Sequence, residues 1–203
     1  MFNYCVYGYF NEEVTNHLST LMTEVQDKYA DVLAYRVSEK PHITICYGPS
    51  IDNAADEITS FNKAAINDLL GSSFLDKYQD GGTAECKGIS VFDRQAIKGF
   101  SVVKVEFECE VLSAMRDDLY SQGAMKARRE KEHQDLQQSG VPDETFAPVA
   151  KRWAHATLAV VKDASKVDEI VAFATSRLFV ASISPIEKVA LISAVNDIPI
   201  DLF

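Results

Sequence analysis

Two short stretches of the chain each place a histidine and a threonine two residues apart. His42 and Thr44 lie in the apolar run PHITI, and His155 and Thr157 lie in the run WAHATL. Because successive side chains of a β-strand point to opposite faces, each pair shares one face if these runs are strands. Two such strands facing each other bring together two acid–base groups and two hydroxyl donors. That set suits in-line attack at a phosphodiester, in which one histidine accepts a proton and the other donates one.

The other two histidines of the chain have weaker settings. His17 begins a looser His-x-Ser match, but its neighbours repeat at helical spacing, and positions two apart do not face each other on a helix. We therefore interpret His17 as a surface or capping residue, and His133 has no partner pattern. A structural alternative for His42 and His155 stays open, in which each is a half-buried strand histidine bonded to a neighbouring threonine. The occurrence of the motif on two predicted strands favours catalysis.

On these two motifs the chain resembles the two-histidine (2H) phosphoesterase superfamily, which is marked by two His-x-Thr or His-x-Ser strands about one structural repeat apart. The superfamily includes 2′-5′ RNA ligase-like proteins, cyclic phosphodiesterases and viral enzymes that cut 2′-5′ or cyclic oligonucleotides. The resemblance spans nearly the whole chain, since the elements around the motifs follow the family's order. The resemblance implies that His42 and His155 act as the general acid and the general base. It also implies that Thr44 and Thr157 bind the non-bridging phosphate oxygens.

Within the superfamily, the run KPHITICYG is most similar to phage-type members. Some of these destroy the cyclic oligonucleotides of bacterial antiphage (CBASS) signalling, so the resemblance implies a phosphodiesterase that degrades such messengers and aids immune evasion. The alternative substrates are 2′,3′-cyclic phosphates and 2′-5′ oligonucleotides in RNA metabolism. An alternative from another class is a non-catalytic nucleotide-binding protein, and the presence of both complete motifs argues against it.

The charge of the chain constrains its partners. A formal net charge of −10 and a pI near 4.8 disfavour a grip on long RNA or DNA, which needs many cations to neutralise phosphates. We expect a small nucleotide or oligonucleotide substrate instead. Lys40, Lys151 and Arg152 flank the two motifs and supply either a local positive field or ordinary solvated loop charge.

Side chains near the motifs indicate how a nucleotide would be held. Trp153 stands two residues before His155, hence on the same strand face, where its ring can stack on a nucleobase. Tyr7 and Tyr9 in the first strand can stack on a base or donate a hydrogen bond to a phosphate, and Glu187 can read a base edge. The alternatives are packing at the rim for the aromatic residues and solvation of a strand edge for Glu187.

Size and composition predict one intracellular domain, residues 1–203. The chain is 47% hydrophobic and 25% charged, enough for a core. It has no apolar run of membrane-spanning length and its first residues read as a strand, so we expect a soluble, cytoplasmic protein, in the host cytoplasm if viral. The four cysteines form no Cys-x-x-Cys pair and predict free thiols. No Asp, Glu, His cluster has metal-ligand spacing, so we expect no metal and no cofactor. Nothing indicates the oligomeric state.

Apolar periodicity predicts an α+β fold with two lobes related by a degenerate duplication. Mostly antiparallel sheets line a central groove that holds both motif strands, and helices lie outside. The segment 123–148 is rich in charges of both signs and is interpreted as a solvated insertion or a lid over the groove. The predicted strands are 4–10, 33–37, 42–47, 83–92, 100–108, 153–161 and 186–193, and the predicted helices are 12–28, 52–70, 111–122 and 165–179, with the loop 71–82 between.

Overall fold

The computed structural model describes residues 2–37, 40–51, 77–78, 82–121, 130, 134, 154–178, 183–193 and 199–201. This part of the chain contains both strands and helices, with short 3-10 turns at 30–32 and 164–166. The strands are β1 (Phe2–Phe10), β2 (Leu33–Tyr35), β3 (Ile43–Ile51), β4 (Thr83–Arg94), β5 (Phe100–Glu108), β6 (Ala154–Val161), β7 (Ile183–Ser193) and β8 (Pro199–Asp201). The helices are α1 (Glu12–Lys28), α2 (Gln95–Lys98), α3 (Glu110–Ser121) and α4 (Val167–Arg177).

The strands pair antiparallel throughout, in the order β2-β6-β5-β4-β7-β1-β3, and β8 adds to β7 beside this path. Strand β7 joins the two lobes, because residues 183–185 pair with β4 and residues 186–193 pair with β1. One lobe therefore contains β3, β1 and most of β7, and the other contains β2, β6, β5 and β4. The predicted α+β fold with two antiparallel lobes is confirmed.

The two lobes repeat one arrangement and exchange their helices. In the first lobe β1 pairs with β3, and in the second β5 pairs with β6, each time a strand beside a motif strand. Helix α1 follows β1 but packs on β6, and helix α3 follows β5 but packs on β3. Each motif strand is therefore supported by a helix from the other half of the chain.

Local sequence explains why α1 begins and ends where it does. Asn11 is the N-cap, and its side chain accepts a hydrogen bond from the amide of Val14 at 3.0 Å. Glu12 and Glu13 in the first turn and Lys28 in the last turn complement the helix dipole. The buried face repeats at helical spacing, with Val14, Leu18, Leu21, Met22 and Val25. The helix spans the predicted residues 12–28.

A single cluster of buried side chains extends through both lobes. Phe10 of β1 meets Phe107 of β5 with ring centroids 4.6 Å apart, which ties the lobes together below the motif strands. Along β5, Val103, Val105 and Phe107 are fully buried, while the residues between them face away from the core. This alternation leaves one sheet face free for polar side chains.

Two strand predictions are corrected by the structure. We predicted that Gly48-Pro49-Ser50 closes the first motif strand, but β3 continues to Ile51. Among the described strands, β3 is terminal in the order and pairs with β1 alone, with an irregular register around Gly48 and Pro49. Proline is tolerated in such an edge strand because its missing N–H removes no ladder hydrogen bond. The second correction concerns β7, which begins at Ile183 and is followed by β8, so it is not the last strand.

Several predictions concern segments that lie partly or wholly outside the described residues. The predicted helix 52–70 lies outside the described residues, as does the segment 123–148 apart from the exposed helical residues Glu130 and Gln134. Cys5, Cys86 and Cys109 form no disulfide among the described residues, and the side chain of Cys46 is not described. Among the described helices, none combines the length and the apolar content that crossing a bilayer requires.

Candidate active site

The first motif lies at the start of β3. Ile43 and Ile45 are buried in the core, at 0% and 1% exposure, while His42 and Thr44 are half-buried on the opposite face. The alternation of the strand thus gives the motif its direction, because the two isoleucines fix which face turns inward. The imidazole and the hydroxyl share the face away from the core, as the sequence predicts.

The second motif repeats this arrangement in β6. Ala154 and Ala156 are buried, and His155 and Thr157 are half-buried on the other face. Strand β6 contacts β3, so the two motif strands meet along the seam between the lobes. The charges of the two imidazoles also influence each other, since His42 contributes to the pKa of His155. The four predicted catalytic residues therefore lie on two neighbouring strands.

Aromatic side chains surround His42. The ring of Tyr7 stacks on the imidazole, with centroids 3.7 Å apart and planes at 17°, and Tyr9 meets it edge-on with centroids 6.3 Å apart. The backbone carbonyl of Lys40 accepts a hydrogen bond from Nδ1 of His42 at 2.9 Å. Since a carbonyl can only accept, this bond places the proton on Nδ1, and in the neutral ring the lone pair is on Nε2. The ring is thereby fixed in orientation and in tautomer.

Charged side chains occupy the equivalent positions beside His155. In the register of β5 and β6, Glu106 lies opposite His155 and Lys104 lies opposite Thr157. Lys104 Nζ donates to Glu106 Oε1 at 2.6 Å, and the two side chains are only 12% and 21% exposed. Where the first lobe offers two aromatic rings, the second offers a half-buried ion pair.

These surroundings determine the protonation of His155. Burial lowers the pKa of His155 from 6.5 to about 4, assisted by the positive charges of Lys104 and Arg116 and by His42, while Glu106 opposes the change. His155 is therefore neutral at neutral pH and can accept a proton. Burial alone would raise the pKa of Glu106, but its bonds and charge interactions, Lys104 foremost, hold it below the ordinary value. Glu106 therefore remains a carboxylate.

A third strand contributes to this charged corner. Gly88 lies opposite Glu106, and Ser90 lies opposite Lys104, in the register of β4 and β5. Gly88 has a φ of 110°, a conformation that favours glycine, and it follows a register shift that brings Ser90 into line. The hydroxyl of Ser90 is buried near Glu106 and helps to lower its pKa, yet it makes no hydrogen bond of good geometry within the described residues.

Arg116 of α3 fixes the first motif strand from the other half of the chain. Its side chain is buried, at 7% exposure, and its Nε donates to the backbone carbonyl of Ile45 at 2.8 Å. Ile45 directly follows Thr44, so the bond holds the strand at the motif. The same guanidinium lies close enough to lower the pKa of His155, and it thus connects both motifs.

A cavity of about 340 Å³ adjoins the first motif rather than enclosing the histidines. Tyr9, Lys40, Glu187 and Lys188 line it, together with the first turns of α1. It is continuous with the His42 surroundings because Tyr9 touches the imidazole and Lys40 supplies the carbonyl that orients it.

The predicted binding residues have different outcomes. Tyr9 lies beside His42, and Glu187 is exposed and lines the cavity, between Ile186 and Lys188, which pair with β1. Trp153 lies outside the described residues, as do the flanking cations Lys151 and Arg152. Their roles stay predictions.

Sequence reasoning missed Lys104, Glu106 and Arg116. The alternation of β5 marked Lys104 and Glu106 as facing away from the core, but only the pairing with β6 places them beside the second motif. Arg116 gave no signal beyond its place on a helix. Among the described residues, no group of three or more His, Cys, Asp or Glu side chains could hold a metal ion.

Comparison with protein-family models and with curated proteins finds no match. In fold, the chain is similar to Usb1 of Kluyveromyces marxianus at 9% sequence identity. A structure of Usb1 with uridine monophosphate superposes with a TM-score of 0.50, covering 99% of this chain and 97% of that one. A second Usb1 structure has a TM-score of 0.48 and covers 98% and 97% of the two chains. At this identity the similarity shows the fold alone.

Proposed function

We propose that this protein is a phosphodiesterase that cleaves a nucleotide phosphodiester with two histidines and two threonines. The observation that carries the proposal is the placement of two His-x-Thr pairs on contacting strands, each pair facing away from the core. A histidine with a purely structural role does not require a second His-x-Thr pair on a contacting strand. Two histidines at one seam can carry out both proton transfers that in-line displacement at phosphorus requires, one as the base and one as the acid.

His155 is the general base in this proposal. Its pKa of about 4 keeps the ring neutral, so it can take the proton from an attacking water or from a ribose hydroxyl next to the bond. The attacking oxygen forms a bond to phosphorus as the bond to the leaving oxygen breaks. A bound phosphodiester carries a negative charge, which offsets Lys104 and Arg116 and makes His155 a stronger base in the complex.

His42 is the general acid. With Nδ1 donating to the Lys40 carbonyl, Nε2 is the nitrogen that faces proton exchange, and in the productive form it carries the proton that goes to the leaving oxygen. The stacked ring of Tyr7 holds the imidazole in this orientation. The hydroxyls of Thr44 and Thr157 donate to the non-bridging oxygens, where charge develops. These groups account for each step without a metal ion, and we propose that the activity is metal-independent.

Among nucleotide substrates, we propose cyclic oligonucleotide signals first, on the resemblance of the first motif to phage-type enzymes, with immune evasion as the biological role. The acidic chain supports a small ligand over a long nucleic acid. The uridine monophosphate in the similar Usb1 structure supports a nucleotide in this fold, and it also favours 2′,3′-cyclic phosphates as a second candidate.

The test is cleavage of a nucleotide panel in the presence of EDTA, read by mass spectrometry. His42→Ala and His155→Ala should each lower turnover by roughly 10²–10⁴, the usual contribution of a general acid or base. His17→Ala is the matched control, because His17 lies on α1 and on neither motif strand. Near-wild-type activity of either motif variant would contradict the mechanism, and loss of activity in EDTA that a divalent metal restores would contradict its metal independence. Binding without turnover would identify a nucleotide-binding protein instead.

A further inference from the structure

The cavity beside His42 has features of a binding site in its own right. Its volume of about 340 Å³ lies at the lower end of the range for small-molecule sites, roughly 300–1,000 Å³. It lies next to His42, because Tyr9 and Lys40 both line the cavity and contact the imidazole. Whatever occupies it lies beside the reacting phosphate.

Two lysines and one tyrosine line this cavity together. Lys40 Nζ lies 5.5 Å from the centroid of the Tyr9 ring, and Lys188 pairs with Tyr9 across β1 and β7. A ring face offers a stacking surface for a nucleobase, and neighbouring lysines offer point charges for a phosphate. This combination matches a ligand that carries both groups.

Two carboxylates complete the wall of the cavity. Glu12 opens α1 and Glu187 precedes Lys188, and both are exposed to an occupant. Carboxylates only accept hydrogen bonds, so they suit ribose hydroxyls or the exocyclic amino group of a base. They also balance the two lysines, which disfavours a bare polyanion and favours a nucleotide with one negative charge and several donors.

We propose that this cavity binds the nucleotide next to the scissile bond, with its own phosphate on Lys40 and Lys188 and its base on Tyr9. This inference rests on the proposed phosphodiesterase activity and names its substrate class. The substrate is an oligonucleotide, linear or cyclic, with at least two phosphodiesters, and an isolated 2′,3′-cyclic mononucleotide fills only the catalytic seam.

The experiment compares substrates with one phosphate and with more than one. The first set is 2′,3′-cyclic UMP and a uridine dinucleotide, and the second is the uridine trinucleotide and its cyclic form, in the linkage that the wild type cleaves. The wild type should have a kcat/KM at least about tenfold higher on the second set, because a charge-assisted contact to phosphate is worth about 1.5–3 kcal/mol and 1.4 kcal/mol is a factor of ten.

Lys40→Gln and Lys188→Gln should each reduce that preference by about tenfold, and the reduction should weaken with added salt. Lys98→Gln, in the exposed α2 turn, removes the same charge elsewhere and should keep the wild-type preference. Equal losses on both substrate sets, or no wild-type preference, would overturn the subsite while leaving the phosphodiesterase proposal standing. A wild type that cleaves no member of the panel would overturn both.

Discussion

The half-buried ion pair beside the second motif gives a quantitative prediction for Lys104→Met. The register places Lys104 diagonally from His155, a separation of about 7–8 Å in an antiparallel pair. At that distance and an effective dielectric constant near 20, a unit charge contributes about 2 kcal/mol. Since one pKa unit equals about 1.4 kcal/mol, removing the ammonium should raise the pKa of His155 by roughly 1.5 pH units from its value of about 4.

Removing the negative charge of the same ion pair should shift the pKa of His155 in the opposite direction. Glu106 lies directly opposite His155 and opposes the lowering of its pKa, so Glu106→Gln should move the pKa of His155 further down. A general loss of structure cannot produce opposite shifts in two variants of one ion pair. Lys87→Met is the matched control, because Lys87 of β4 also forms ion pairs, with Glu85 at 2.9 Å and Glu108 at 2.7 Å, without entering the surroundings of His155.

Two measurements check this prediction independently. An NMR titration of the His155 imidazole reports its pKa whether or not the variant is active. The acid limb of kcat/KM against pH reports the group that must be neutral in the free enzyme, and in Lys104→Met it should move upward with the NMR value. Shifts of the same sign in both ion-pair variants, or an equal shift in Lys87→Met, would refute this account of His155.

Two further predictions concern stability. The folded-state pKa of His155, about 4, lies below the ordinary 6.5, so the unfolded chain binds the proton first as the pH falls. The contribution of His155 to the free energy of unfolding is therefore fully present above pH 6.5. It should fall by about 3 kcal/mol between pH 6.5 and 4. Urea unfolding at pH 7.5 and 4.5 checks this against His155→Gln, whose decline in stability over that interval should be smaller by about 2.5 kcal/mol. Arg116→Met should cost about 2–4 kcal/mol in the same assay, because it leaves the Ile45 carbonyl without its buried charged donor. Wild-type stability of Arg116→Met would show that the bond matters little.

Much of this fold could be predicted from the sequence because its signals are local. The helix 12–28 has an N-cap, charges suited to its ends and a helical apolar face, so nothing distant competes with it. The motif strands are likewise fixed by their own alternation, with Ile43 and Ile45 turned inward. Where the prediction was wrong, at Gly48 and Pro49, the deciding fact was the terminal position of β3 in the sheet, which no local pattern contains.

Some residues of the candidate site could likewise be predicted from local sequence, and others could not. The two histidines and two threonines could be found from spacing alone, since their relation is within one strand. Lys104 and Glu106 reach His155 only through the register of β5 with β6, and this register shifts at a bulge between Val103 and Lys104. Arg116 reaches the first motif only because α3 packs on the strand of the other lobe. Such relations depend on strand order and helix exchange, which a single sequence does not state.

The exchange of helices between the lobes has a consequence for how this protein can fold and change. Among the described residues, α1 of the first half packs on β6 and α3 of the second half packs on β3, so contacts between the halves bury the apolar side of each motif strand. The seam that holds both histidines closes only when long-range contacts between the halves have formed, which makes assembly of the site coincide with global folding. A core substitution beneath one motif strand therefore also disturbs the helix from the other half of the chain that packs on it.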